Sequence, residues 1–171
     1  PPQKSKRGQR VNKSPVQGIS ETLNIDFRTP KSLKNNIEEY EYLKKLNADI
    51  AIVVAYGQII PKEILSLTKK GFINIHASLL PKWRGAAPIQ RSIINLDKET
   101  GISIMKIGEK LDTGPICNSY KLNITNNDNA ETISDKLSKL ASEKILDNID
   151  EILEGKIKFK EQVNEEATYA Y

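Results

Sequence analysis

The sequence predicts an α/β fold built on an open, mostly parallel sheet. Two kinds of segment point to it. Short apolar runs rich in β-branched residues lie at 49–55 and 72–76, and helical stripes with apolar side chains three and four apart lie at 31–46 and 130–153. A near-continuous apolar run such as Asp49-Ile50-Ala51-Ile52-Val53-Val54-Ala55 belongs in a parallel strand buried on both faces. Strands that alternate with helices along a chain fold as layers of helix on sheet. At 171 residues the chain is long enough for one domain with a real core and too short for two ordinary ones.

The elements follow in order. Residues 1–13 read as a basic, flexible loop. Ser14 is placed to cap a short helix from Pro15 to Thr22, with the proline at the first helical position. Ile25 to Arg28 reads as a short strand stopped by Pro30. Leu33, Ile37, Tyr40, Leu43 and Leu46 give a helix over 31–46, followed by the strand at 49–55, which Tyr56-Gly57 breaks. Pro61 to Leu67 reads as helix, Phe72 to His76 as a buried strand and Pro88 to Leu96 as helix. Ile102 to Ile107 and Ile116 to Ile124 are the last strands, the first with Ile102 and Ile104 alternating against Ser103 and Met105. The longest helix spans 130–153 with a stripe of Ile133, Leu137, Leu140, Ala141, Ile145, Ile149 and Ile152. Asp128 or Asn129 caps it and Gly155 ends it.

Composition excludes several classes of function. No stretch has the apolar length needed to span a bilayer, and the polar, basic N-terminus has no signal-peptide core. One cysteine, Cys117, rules out an intrachain disulfide and fits a reducing, cytoplasmic setting. With one histidine, one cysteine and no ligand cluster, no metal site is expected. The net charge is +4, but Lys4, Lys6, Arg7, Arg10 and Lys13 stand without an acid in the first 20 residues; without them the chain has 21 basic and 22 acidic side chains. The positive excess therefore sits in one N-terminal arm. Such an arm is either a solvated tail or a reach toward phosphates.

Chemistry concentrates at the only histidine. In a strand, residues two apart share a face, so Asn74 and His76 project side by side while Phe72, Ile73 and Ile75 serve packing. A neutral amide beside an imidazole suits reaction at a carbonyl: the amide N–H stabilises a developing oxyanion and the imidazole moves or polarises a proton.

Asn74-Ile75-His76 followed by Ser78-Leu79-Leu80-Pro81-Lys82-Trp83-Arg84-Gly85-Ala86-Ala87-Pro88-Ile89 resembles the signature of the folate-dependent formyltransferases, and Gly108-Glu109-Lys110-Leu111-Asp112-Thr113-Gly114 resembles the segment that carries the family's aspartate. The resemblance implies a Rossmann-like catalytic domain with Asn74, His76 and Asp112 as catalytic residues. The implied reaction takes a formyl group from 10-formyltetrahydrofolate, a co-substrate used without a metal, to the free amino group of methionyl-tRNA. Ser78, Leu79, Leu80 and Pro81 would line the folate pocket. Arg7, with Gly8, matches a basic loop of the family that meets the acceptor end of the tRNA. The initiator methionyl-tRNA is then the partner, with a monomer expected and no membrane. Fold logic agrees, because ligands of open α/β sheets sit beyond the carboxyl ends of the strands, where His76 lies.

The resemblance starts in what would be the loop after the family's second strand and ends at Thr168-Tyr169-Ala170. It implies a catalytic domain over 14–171 without the family's first β-α-β element and without its C-terminal tRNA-binding barrel domain. Two other functions compete: a folate-dependent formyltransferase acting on an amino-sugar nucleotide, and an inactive fragment that holds tRNA or folate. Trp83 and Arg84 read as packing and surface residues, Lys106 and Lys110 as solvated charges and Cys117 as a structural strand residue.

Overall fold

The computed structural model describes residues 3, 4 and 11–171. Its elements are β1 (Gln3–Lys4), β2 (Val11–Asn12), α1 (Pro15–Thr22), α2 (Ile37–Leu46), β3 (Ala51–Val53), α3 (Lys62–Leu65), β4 (Phe72–His76), β5 (Arg84–Gly85), α4 (Pro88–Ile94), β6 (Glu99–Lys106), β7 (Ile116–Asn123), α5 (Ala130–Glu154), a 3-10 turn (Asn164–Glu166) and β8 (Tyr169–Ala170). The expected α/β class holds. The main sheet has the order β3-β4-β6-β7. Its pairing is mixed: β3 and β4 run parallel, whereas β4–β6 and β6–β7 are antiparallel.

Period and capping explain the helices. Ser14 accepts from the Gln17 N–H at the start of α1, with Pro15 next to it. Asn129 accepts from the Glu131 and Thr132 N–H groups while the Thr132 hydroxyl accepts from the Asn129 N–H, a reciprocal cap that fixes the start of α5. Gly155, at φ +72°, ends that helix. At about 37 Å for 25 residues, α5 spans the sheet. Ile133 and Leu137 near its start pack on Ile75 and Ile102, and Ile152 near its end packs on Ile73 and Ile104. Burying an isoleucine stabilises by about 1.5–3 kcal/mol, so these contacts anchor the fold. Asn148, rather than Ile149, is the fully buried side chain in the last third of α5. It donates to the Tyr120 hydroxyl and the Lys144 carbonyl and accepts from the Asn118 amide, so its burial leaves no polar atom orphaned.

Several expectations change. Residues 25–28 form no strand: Arg28 is held by Glu38 and Glu39 of α2 and lies over the Tyr42 ring, and among the described residues no strand pairs with this stretch. The helix expected over 31–46 begins only at Ile37, because Asn35 takes a left-handed φ of +56° and Asn36 accepts from the Glu39 N–H as the cap. The strand expected over 49–55 is confined to β3. It stands at the margin of the main sheet with Ile52 and Val54 exposed instead of buried on both faces. Gln3–Lys4 and Val11–Asn12 pair antiparallel where loop is expected. On β6 the run from Thr100 to Met105 is buried on both faces, as its central place requires. Among the described residues, no helix is long and apolar enough to cross a membrane.

Candidate active site

β4 aims Asn74 and His76 at the face opposite α5. Across the strand pair, Asn74 stands beside Met105 and His76 beside Ser103. His76 is 6% exposed. Its Nε2 lies 2.9 Å from the Trp83 carbonyl oxygen, and a carbonyl only accepts, so Nε2 carries the proton. In the neutral ring the lone pair is then on Nδ1. That nitrogen faces Oδ2 of Asp112 at 3.7 Å, too far for a hydrogen bond and close enough for an ion pair once the ring is protonated. With its lone pair on that nitrogen, the neutral imidazole gives Asp112 no hydrogen bond. The Asp112 Oδ2 accepts instead from the Gly85 N–H at 2.8 Å. The side chain of Asn74 is half-buried, and among the described residues its amide has no hydrogen-bond partner. The structure therefore brings together an imidazole with its basic nitrogen inward, a carboxylate beside that nitrogen and an uncommitted amide two residues up the strand.

The loop after β4 is stapled from beneath. The Ser103 hydroxyl donates to the Ser78 carbonyl and accepts from the Leu80 N–H, which leaves the Ser119 hydroxyl as the donor in their 3.0 Å contact. Ser78 is fully buried, and its own hydroxyl donates to the Lys82 carbonyl. Leu79, Leu80 and Pro81 line a cavity of about 350 Å³ together with Thr100 and Ser119, apart from Asn74, His76 and Asp112. The Thr100 hydroxyl oxygen is buried and has no hydrogen-bond partner among the described residues. Arg7 and Gly8 lie outside the described residues.

Four features of this site carry no readable signal in the sequence. Trp83 and Asp112 both hold left-handed backbone, φ +60° and +49°, in residues that rarely adopt it. Arg84, expected at the surface, is 2% exposed. It reaches Gln162 through Nε and Nη2 and Asn164 through Nη2. β5 pairs in parallel with β8, so residues 168–170 lace the loop shut: the Trp83 N–H donates to the Thr168 hydroxyl, the Arg84 N–H to the Thr168 carbonyl and the Ala87 N–H to the Ala170 carbonyl. Gly85 has φ +116°, and a Cβ there would stand 2.7 Å from the Ala170 carbonyl oxygen. Only glycine fits where its N–H must reach Asp112. Away from this site, Cys117 is half-buried on β7 with its thiol donating to the Ile104 carbonyl, and burial pushes that thiol above its ordinary pKa. It is no candidate nucleophile.

The chain is 71% identical over 170 residues to a methionyl-tRNA formyltransferase of Pelagibacter ubique, covering 99% of the chain and 55% of that protein. It is 50% identical over 169 residues to a methionyl-tRNA formyltransferase of a Wolbachia of Drosophila simulans, covering 99% of the chain and 56% of the relative. The chain thus spans about half the length of the curated relatives it matches. Among solved structures, the formyltransferase PseJ from Anoxybacillus kamchatkensis, in complex with UDP-4,6-dideoxy-4-formamido-L-AltNAc and tetrahydrofolate, superposes with a TM-score of 0.69 at 25% identity, over 91% of this chain and 79% of that one. The family model described as formyl transferase matches residues 1–149, which include β4, the laced loop and Asp112, and on that match the chain belongs to the formyl transferase family.

Proposed function

We propose that the protein carrying this chain transfers a formyl group from 10-formyltetrahydrofolate to the free amino group of methionyl-tRNA, giving the formylmethionyl-tRNA used to start translation. The observation that carries the reading is the convergence of Asn74, His76 and Asp112 at the end of β4 in a chain 71% identical to a methionyl-tRNA formyltransferase. When bound, the reduced folate supplies an activated formyl carbon on a nitrogen that can leave.

The residues divide the work. Asn74 donates its free amide N–H to the formyl oxygen as the amine attacks, where the carbonyl electron pair collects. His76, its Nε2–H committed to Trp83, accepts the proton shed by the amine at Nδ1. Asp112 holds the imidazolium that results across the 3.7 Å gap. As the oxygen pair returns to carbon, the bond from the formyl carbon to the folate nitrogen breaks, and His76 gives its proton to that departing nitrogen. One carbon–nitrogen bond forms and one breaks, with no covalent bond to the protein. Leu79, Leu80 and Pro81 present apolar faces for the folate ring system, and Ser78 holds their loop from within. The arm with Arg7 takes the acceptor end of the tRNA through its phosphates. The same reading makes the protein a cytoplasmic monomer that uses no metal.

Transfer to an amino-sugar nucleotide is the second reading, favoured by the likeness to PseJ; the gap between 25% and 71% identity weighs against it. The test offers the protein both methionyl-tRNA and an amino-sugar nucleotide with the same formyl donor. Faster transfer to methionyl-tRNA, measured as kcat/KM, is expected. A higher kcat/KM on the sugar would replace the first reading with the second.

A further inference from the structure

We propose that Gln162 is a positioning residue for the acyl transfer, acting on Asp112 through its backbone. The inference rests on the reading of Asp112 given above. The Gln162 amide donates to the Asp112 carbonyl at 2.9 Å and to the Gly114 carbonyl at 2.8 Å. Its oxygen accepts from Arg84 twice, from Nε at 3.0 Å and Nη2 at 2.8 Å. Every hydrogen-bonding group of the amide is thus used, which fixes both the place of the side chain and which end is nitrogen.

The contacts close a ring. Arg84 holds Gln162, Gln162 holds the Asp112 carbonyl, and the Asp112 carboxylate is held by the N–H of Gly85, the residue after Arg84. One dipeptide therefore grips the aspartate at both its main chain and its side chain. Two facts show why a grip is needed. Asp112 sits at φ +49°, a conformation that costs energy and persists only when its surroundings impose it. Arg84 is buried and, among the described residues, makes no ion pair; its guanidinium meets only neutral oxygens. A carboxylate in place of Gln162 would satisfy Arg84 better, so the amide is explained by its other end, where two carbonyls demand a donor.

That asymmetry supplies the test. Gln162→Glu keeps the volume and the acceptor for Arg84 but turns two donated hydrogen bonds into contacts between lone pairs. We expect kcat for formyl transfer to fall about 10- to 100-fold, with KM for both substrates within about threefold and the melting transition cooperative. In an Asp112→Asn background the same substitution should change kcat by less than about threefold, because its effect passes through the carboxylate already removed. A structural role would instead give losses that multiply. Gln162→Asn keeps the amide but cannot span Arg84 and Asp112 at once, and it carries the test if Gln162→Glu does not fold. Native kcat in both variants, or the full loss repeated in the Asp112→Asn background, would overturn the proposal. His76→Ala and Asp112→Asn run alongside. If both retain native turnover, the acyl-transfer reading falls and this inference with it; if both lose turnover while the Gln162 variants do not, the positioning role alone falls.

Discussion

On one face of β4, Ile73 and Ile75 press against α5 and the segment after it; on the other, one residue along, His76 faces Asp112 with Asn74 on the same side of the strand. The two faces share five residues of backbone and divide the labour. The isoleucine face contributes stability by keeping apolar surface from water. Asn74 on the other face contributes little stability, since a half-buried amide with no partner among the described residues is a cost, although Phe72 on that face is buried. The alternation of a strand thus lets stability and chemistry be separated by a step of one residue, and substitutions at neighbouring positions should report different quantities.

The largest effect belongs to the polar face. His76→Ala removes the basic nitrogen that faces Asp112, and kcat/KM for formyl transfer should fall by about a thousandfold or more, with the melting temperature within a few degrees of native. Next to it, Ile73→Ala should do the reverse. A fully buried isoleucine replaced by alanine costs about 2–5 kcal/mol of unfolding free energy, read from denaturant melts, while turnover per folded molecule stays near native. If His76→Ala unfolds the protein, or Ile73→Ala loses turnover with its stability intact, the division between the faces is wrong.

Asp112→Asn sharpens the picture within the polar face. The amide oxygen can still accept from the Gly85 N–H, so the loop stays in place, but the charge that stabilises the imidazolium is gone. Turnover should fall on the order of a hundredfold with KM little changed. Turnover within a factor of two of native would remove the carboxylate from the chemistry.

The same contrast explains what the amino-acid order discloses. β4, α5 and the caps at Ser14, Asn129 and Gly155 are legible because their signals are local: a period of two, a period near 3.6, and a cap within three residues of what it caps. Asn74 and His76 are legible for the same reason. The rest of the site is assembled from afar. Gln162 lies 50 residues from Asp112 and 78 from Arg84, and β5 and β8, each two residues long, have no period to read. Arg84 passes for a surface residue because its burial depends on acceptors brought from the end of the chain. Residues 25–28 fail in the opposite sense: their pattern suits a strand, but among the described residues no partner strand meets them, and the acids of α2 take Arg28. Local pattern specifies what an element is, whereas its use depends on neighbours that pattern does not name.

The far end of the isoleucine face gives the smaller effects. Asn129→Ala removes the acceptor for two N–H groups at the start of α5 and should cost about 1 kcal/mol of stability with no loss of turnover. Beside it, Asp128 accepts from Lys136, from the N–H and hydroxyl of Thr125 and from the Thr132 hydroxyl. The Lys136 ammonium, first, and then the Thr125 hydrogen bonds hold its carboxyl well below the usual carboxylate range. A group whose folded pKa is depressed contributes stability that is complete above its unfolded value, about 3.9, and is lost as pH falls toward the folded one. Asp128→Asn should therefore melt below native by a gap that is constant from pH 7 to pH 5 and narrows below about pH 4. Turnover at neutral pH should be unchanged, because the cap stands on the helix that packs β4 from behind and touches neither Asn74 nor His76. A gap that stays constant down to pH 3 would mean that Asp128 acts through its hydrogen-bonding shape and not its charge, and a loss of turnover would join the two faces that β4 keeps apart.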